Sequence, residues 1–295
     1  GTSNVLSGYK AGHALTTGSH NIALGNSAIG STATKTGDNN IGIGYQTGYN
    51  LTTGQYNVLS GYQAGKNLTT DTDSVLIGKN AGLNLAGSSG NVGIGTDALK
   101  CGANASYTNL NTAVGYLAGS SILGGDRNQC FGYNAGSSIT SGSDNTVLGA
   151  NAQPSSATVS NEITLGNASI SSLRCQVTSI TSLSDKRDKD NIVDLDAGLE
   201  FINKLRPVRF DWNMRDGGKV GDADIGFIAQ DLQKAQTDAS TTIPHLVMDN
   251  NPEKLEAGYG MLMAPLVQAI KELSAKVDAQ DLEIQTLKSS IGEVK

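Results

Sequence analysis

A serine and a lysine stand five residues apart at Ser184 and Lys189, with Asp185, Arg187 and Asp188 in the same short run. Such a pair can do nucleophilic chemistry: the hydroxyl attacks a carbonyl once an amine, held neutral, takes its proton. A separation of five matches neither a helical face nor a strand face, so the chain must bend for the two groups to meet. On residue types alone the bland reading is a solvated charge run. Asp188 beside Lys189 would also raise the lysine's pKa and restrain it as a base. The three cysteines, Cys101, Cys130 and Cys175, are odd in number and lack metal-ligand spacing. Cys130 falls where the surrounding pattern wants a small or apolar residue and reads as a buried thiol. No metal and no cofactor is expected.

The run Ser182–Lys189 also divides the chain. Before it the sequence is repetitive and rich in Gly, Asn, Ser and Thr; after it the sequence is charged and non-repetitive. A length of 295 residues allows about two domains. The net charge of -6 argues against a nucleic-acid partner, which a basic patch would attract. No apolar run is long enough for a membrane span, and Gly1-Thr2-Ser3-Asn4 has neither the basic nor the apolar part of a signal peptide.

Aligning the first half on one glycine exposes a repeat: Gly8, Gly25, Gly44, Gly61, Gly78, Gly95, Gly115, Gly132, Gly149 and Gly166, most of them 17 residues apart. Four residues earlier stands an asparagine in eight copies (Asn4, Asn21, Asn40, Asn57, Asn91, Asn111, Asn128, Asn145), with Ser74 and Glu162 in the other two. β-type triplets such as Val75–Ile77 fill the gap, and Tyr-x-Ala-Gly follows the glycine at Tyr9, Tyr62, Tyr116 and Tyr133. Such a fixed period marks a solenoid or array. Short β-branched runs between Gly, Asn, Ser and Thr favour strands and turns over helices. One rung cannot bury enough to fold alone, so rungs must stack. Stacking sets asparagine over asparagine in an amide ladder and glycine over glycine at tight corners. Ten rungs would extend roughly 50 Å. Calcium binding by these asparagines is a poor alternative, since acidic ligands are scarce.

These copies resemble the Asn-x-x-x-Gly-Tyr-x-Ala-Gly repeats of phage tail fibres and, more distantly, the left-handed β-roll heads of trimeric bacterial adhesins. The resemblance implies three chains packed around a common axis. The expected organisation is a mainly β repeat rod (β-solenoid or β-roll) over 1–170, a connecting strand over 171–183 carrying Leu173, Cys175, Val177 and Ile180, and a small α+β domain over 184–295.

Within that last domain, Leu195, Leu199, Ile202 and Leu205 fall at helical spacing, with Asp194 or Asp196 as N-caps and Pro207 as the stop. Val208–Trp212 alternates as a strand, Lys219–Asp224 reads as a polar turn, and a helix begins near Ala229. Ile243–Val247 and Leu255–Tyr259 read as short strands or links, and Trp212 as core. From Met263 to Ile291 the residues Met263, Leu266, Ile270, Leu273, Val277, Gln280, Ile284, Leu287 and Ile291 keep the a/d rhythm of a coiled coil. Lys276 with Asp281, and Glu283 with Lys288, fall where interchain ion pairs form. The choice of Ile and Val at a with Leu at d leans toward two strands.

Ser184-Asp185-x-Arg187-x-Lys189, Asn191-Ile192, Gly226-Phe227-Ile228-Ala229-Gln230 and Leu266–Leu273 together resemble the intramolecular chaperone of phage tailspikes and fibres, the S74 self-cleaving peptidase family. The resemblance implies a homotrimer that templates the β-rod and then cuts itself off. It implies the bond Leu183–Ser184 as the scissile one, Ser184 as nucleophile, Lys189 as base, and Asp185 and Arg187 in support. Ile270, Leu273, Val277, Gln280, Ile284, Leu287 and Ile291 would hold the trimer. A virion location follows, with a host-surface receptor or glycan as a further partner. The alternative is a trimeric bacterial surface adhesin stalk without catalytic activity, which would need a membrane anchor. A glycan-cleaving enzyme would need paired carboxylates on a cleft, and the acidic residues of the repeat half are spread singly.

Overall fold

The computed structural model describes residues 1–102, 108–176, 181–215, 217 and 219–292, and the chain forms two compact units, Gly1–Ser171 and Ser172–Lys295.

In the first unit the triplets form ten strands: β1 (Val5–Ser7), β2 (Ile22–Leu24), β3 (Ile41–Ile43), β4 (Val58–Ser60), β5 (Val75–Ile77), β6 (Val92–Ile94), β7 (Thr112–Val114), β8 (Gln129–Phe131), β9 (Thr146–Leu148) and β10 (Ile163–Leu165). They pair in parallel and in sequence order in one sheet, each with the same position of the next rung, as Val58↔Val75 and Leu59↔Leu76 show. This is a β-solenoid. The middle residue of each triplet points inward, so Leu59, Leu76, Cys130 and Val147 are fully buried. A second inward column follows the Ala-Gly step: Leu51, Leu68, Leu85, Ile122 and Ile139. Each buried leucine is worth about 1.5–3 kcal/mol, so like residues stacked rung on rung build one continuous core. Burial pushes the thiols of Cys101 and Cys130 up to about 12, the inert state expected of Cys130, whereas Cys175 is exposed.

The asparagine column sits inside this core as a ladder. Asn57 Nδ2 donates to Asn40 Oδ1 (3.0 Å) and to the Asp71 carbonyl of the following rung (2.8 Å), while the Asn57 N–H reaches Asn40 Oδ1 at 3.1 Å. One amide therefore ties three rungs together. The pattern recurs at Asn128, which joins Asn111 (3.0 Å) to the Gly142 carbonyl (2.8 Å). At Ser74 the shorter hydroxyl keeps the ladder running by accepting the Asn91 N–H at 3.3 Å. The glycine column closes the corners: Gly61 has φ +131, and a Cβ there would lie 2.5 Å from the Gly78 carbonyl oxygen. Both the backbone region and the space exclude other residues.

No strand forms in the described part of the expected connecting strand, 171–176 and 181–183; Val177 and Ile180 lie outside the described residues. Apolar alternation fixes a strand only where a neighbouring backbone pairs with it.

The second unit packs Ala197, Phe201, Leu232, Ala235, Ile243, Leu246 and Leu262 into a small core. Its helix α1 is only Leu199–Ile202, far shorter than the Leu195–Leu205 spacing suggests, and neither Asp194 nor Asp196 caps it. Strand β11 (Val208–Asn213) pairs antiparallel with β12 (Val220–Gly226), so the expected polar turn at Lys219–Asp224 is largely strand. Backbone pairing there overrides a polar composition. Trp212 is half-buried rather than core: its Nε1 donates to Asp224 (3.1 Å), and the Lys219 ammonium lies 5.1 Å from its ring centre. Helix α2 (Ala229–Asp238) follows, then the pair β13 (Val247–Met248) and β14 (Glu256–Ala257). Helix α3 runs Met263–Gly292, with Pro265 in its first turn, where its missing N–H costs nothing.

Candidate functional site

The bend required between Ser184 and Lys189 is a single 3-10 turn over Lys186–Asp188. Asp185 starts it. Its Oδ1 accepts the Arg187 backbone N–H at 2.9 Å, and the Arg187 guanidinium folds back onto both carboxylate oxygens, with Nη2 at 2.6 Å from Oδ2. The arginine holds the Asp185 carboxyl below the usual range. The turn is finished by the Asp188 N–H on the Asp185 carbonyl and the Lys189 N–H on the Lys186 carbonyl, each at 3.2 Å. With three residues per turn, the far ends of the segment come back together. Lys189 Nζ donates to Ser184 Oγ at 2.6 Å. The four residues singled out by the motif thus form one constellation, with Ser184 and Lys189 in contact and the Asp185–Arg187 pair holding the turn beneath them.

Everything in this constellation is exposed, and the Leu183 side chain is 98% exposed. In this geometry lysine is the donor and serine the acceptor. Use of a lysine as a base calls for a desolvating environment. The single chain supplies the contact but not the burial.

Helix α3 presents two faces. Leu262, just before it, together with Pro265 and Ala269, is buried against its own unit, and Glu272 is half-buried on the same side. The a/d residues lie on another face and are exposed: Ile270 at 65%, Leu273 at 51% and Ile284 at 46%, with Gln280 among them. From Leu273 to Ile291 every residue of the helix is exposed, so the stripe has no partner among the described residues.

Four contributing residues were not legible as such in the sequence. Glu272 Oε2 accepts the Leu199 N–H at 2.8 Å and so caps α1 from a distant helix; Gln268 Nε2 steadies the same carboxylate at 2.9 Å. Gly198 leaves room for it, since a Cβ there would lie 2.0 Å from Glu272 Oε1. Tyr259 explains the Gly226-Phe227 motif: its hydroxyl accepts the Phe227 N–H (3.0 Å), donates to the Phe227 carbonyl (3.1 Å), and would meet a Cβ on Gly226 at 2.6 Å. The one available signal was a helix start at Gly198 without a local Ser, Thr, Asp or Asn cap. Among the described residues no cluster of His, Cys, Asp and Glu could hold a metal, and no helix is long and apolar enough to cross a membrane.

Residues 184–241 match the family model described as the chaperone of endosialidase, a peptidase family. The match begins at Ser184 and runs through α1, the β11–β12 hairpin and α2. It supports an intramolecular chaperone at the C-terminal end of the β-solenoid. No curated protein and no solved structure matches the chain.

Proposed function

We propose that the chain is a fragment of a phage tail fibre or tailspike whose C-terminal unit trimerises, templates the β-rod and releases itself by cutting Leu183–Ser184. The observation that carries this is a family match whose first residue is Ser184, with the Lys189 ammonium 2.6 Å from its hydroxyl. The unpartnered a/d stripe of α3 favours assembly through a coil, with three strands taken from the family and not from the a/d rule. On the rod, Ile43, Ile77, Ile94 and Leu148 are exposed along the outer side of the sheet, an apolar surface suited to packing beside other copies.

Chaperoning answers a physical problem. Chains that must pair across long separations fold slowly, and unpaired edges invite misregister. A coil that joins the chains first raises their effective concentration and sets a common register. Cutting then removes the template and leaves the rod kinetically trapped.

Cleavage follows from the dyad. Ser184 Oγ attacks the Leu183 carbonyl carbon while Lys189, desolvated by neighbouring chains, takes the hydroxyl proton. The C–N bond breaks as the Ser184 nitrogen takes a proton, leaving an ester between Leu183 and Ser184 Oγ. Water hydrolyses the ester to a Leu183 carboxylate and frees the hydroxyl. Because burial comes only with assembly, unassembled chains would not cut early. The purified protein should yield a fragment beginning Ser184-Asp185-Lys186-Arg187, and Ser184→Ala and Lys189→Ala should stay full length with the rod folded. Amino-terminal sequencing decides it: another start, or undiminished cutting in Ser184→Ala, refutes the assignment.

A further inference from the structure

The dyad hangs on a leash. Residues 190–196 are exposed and carry no helix or strand, and the chain first enters the folded body at the buried Ala197 and Gly198. From Lys189 to Ala197 the leash can reach at most about 29 Å when fully extended. Its origin therefore decides where Ser184 and Lys189 can go. That origin is held by Glu272, through the Leu199 N–H at 2.8 Å, with Gln268 at 2.9 Å bracing the carboxylate. Glu272 also sits at a boundary of α3. It is the last residue of the helix that is not fully exposed, and from Leu273 onward the helix projects free of its own unit. One side chain thus joins the base of the projecting helix to the anchor of the leash.

Resting on the cleavage reading above, we infer that Glu272 is a positioning residue, which fixes the anchor of the cleavage segment to the coil helix so that assembly of the coil carries Ser184 and Lys189 to the place where neighbouring chains bury them. Gly198 belongs to the same device, because any side chain there would occupy the carboxylate's position. A carboxamide can accept the same hydrogen bond, whereas alanine cannot.

The test uses the full chain and follows appearance of the small fragment beside the oligomeric state. Glu272→Ala should form the same oligomer and cut about tenfold more slowly, the scale of a lost helix N-cap. Glu272→Gln should restore the rate, and amide exchange at Leu199 should be protected in wild type and Glu272→Gln but fast in Glu272→Ala. Gly198→Ala should slow cutting similarly, and the double variant should be no slower than either single one, since both remove one contact. Wild-type cutting rates in Glu272→Ala, or additive losses in the double variant, overturn the inference. Failure of Glu272→Ala to assemble overturns it too, because the contact would then hold the fold rather than place the leash. A wild-type chain that never cuts refutes the cleavage reading itself, a distinct result.

Discussion

The two units solve the same problem in opposite ways. In the solenoid each rung finishes the hydrogen bonds of its neighbours, so the buried asparagines from Asn21 to Asn145 are satisfied within one chain. In the C-terminal unit the notable features are exposed: the Ser184–Lys189 contact and the α3 stripe from Leu273 onward. Repetition gives self-sufficiency because every rung offers the same donors and acceptors at the same height. The second unit has one copy of each feature, and both stay exposed in the described chain. The difference teaches where regulation can reside. Where side chains already meet within the chain little is left for a partner to add, while an exposed pair and an exposed apolar stripe leave room for one.

The largest effect should come from denying the second unit its partners. Ile284→Asp puts a charge into the exposed stripe and should dissociate the coil tail, with the yield of folded rod from the full chain falling severalfold or more. Sedimentation and rod yield measured together check this; an unchanged yield would remove the chaperone role. Next comes the rod's own completeness. Asn57→Asp sets a carboxylate against the Asn40 Oδ1 and the Asp71 carbonyl in a fully buried position. It should cost about 3–5 kcal/mol, as an uncompensated buried charge does, whereas Asn50→Asp at the half-buried Asn50–Asn67 contact should cost about 1 kcal/mol. Equal thermal shifts would mean that the inner ladder is no more demanding than the outer one.

A smaller effect sharpens the contrast at the dyad. Asp188→Leu removes a carboxylate next to Lys189 and should speed cutting by about threefold to tenfold, within what a neighbouring charge does to a lysine. Time courses of fragment release read it directly, and slower cutting would assign Asp188 a supporting role. The smallest concerns Lys35, a buried exception in the rod. Its ammonium donates to Ser31 Oγ (3.0 Å) and to the Tyr49 (3.0 Å) and Leu51 (2.5 Å) carbonyls, and burial lowers its pKa from 10.5 to about 8. A base depressed in the folded state favours folding most above its unfolded value and loses that contribution as pH falls through the folded one. The rod should therefore gain stability between about pH 8 and pH 10.5. Thermal melts across that window should show the gain in wild type and not in Lys35→Met.

Much of the rod was written in the sequence, because its period repeats both the pattern and its reason. An asparagine four residues before a glycine has one physical use in a stack, and eight such copies among ten rungs leave little freedom. Neighbouring rungs are also neighbours in sequence, so local spacing already states the tertiary contact. The C-terminal helix was legible for the same reason: its apolar spacing and Pro265 set its extent, and α3 runs Met263–Gly292. Tertiary structure decided the rest. Leu195 to Leu205 carries helical spacing, yet α1 is four residues long and begins where Glu272, more than seventy positions away, supplies the missing cap. The polar run Lys219–Asp224 became strand because β11 lay beside it. Motif residues named Ser184 and Lys189, but only the turn closed by Asp185 and Arg187 brought the five-residue spacing into contact. Local patterns record the faces that a segment must bury; they do not record which distant side chain will complete its ends.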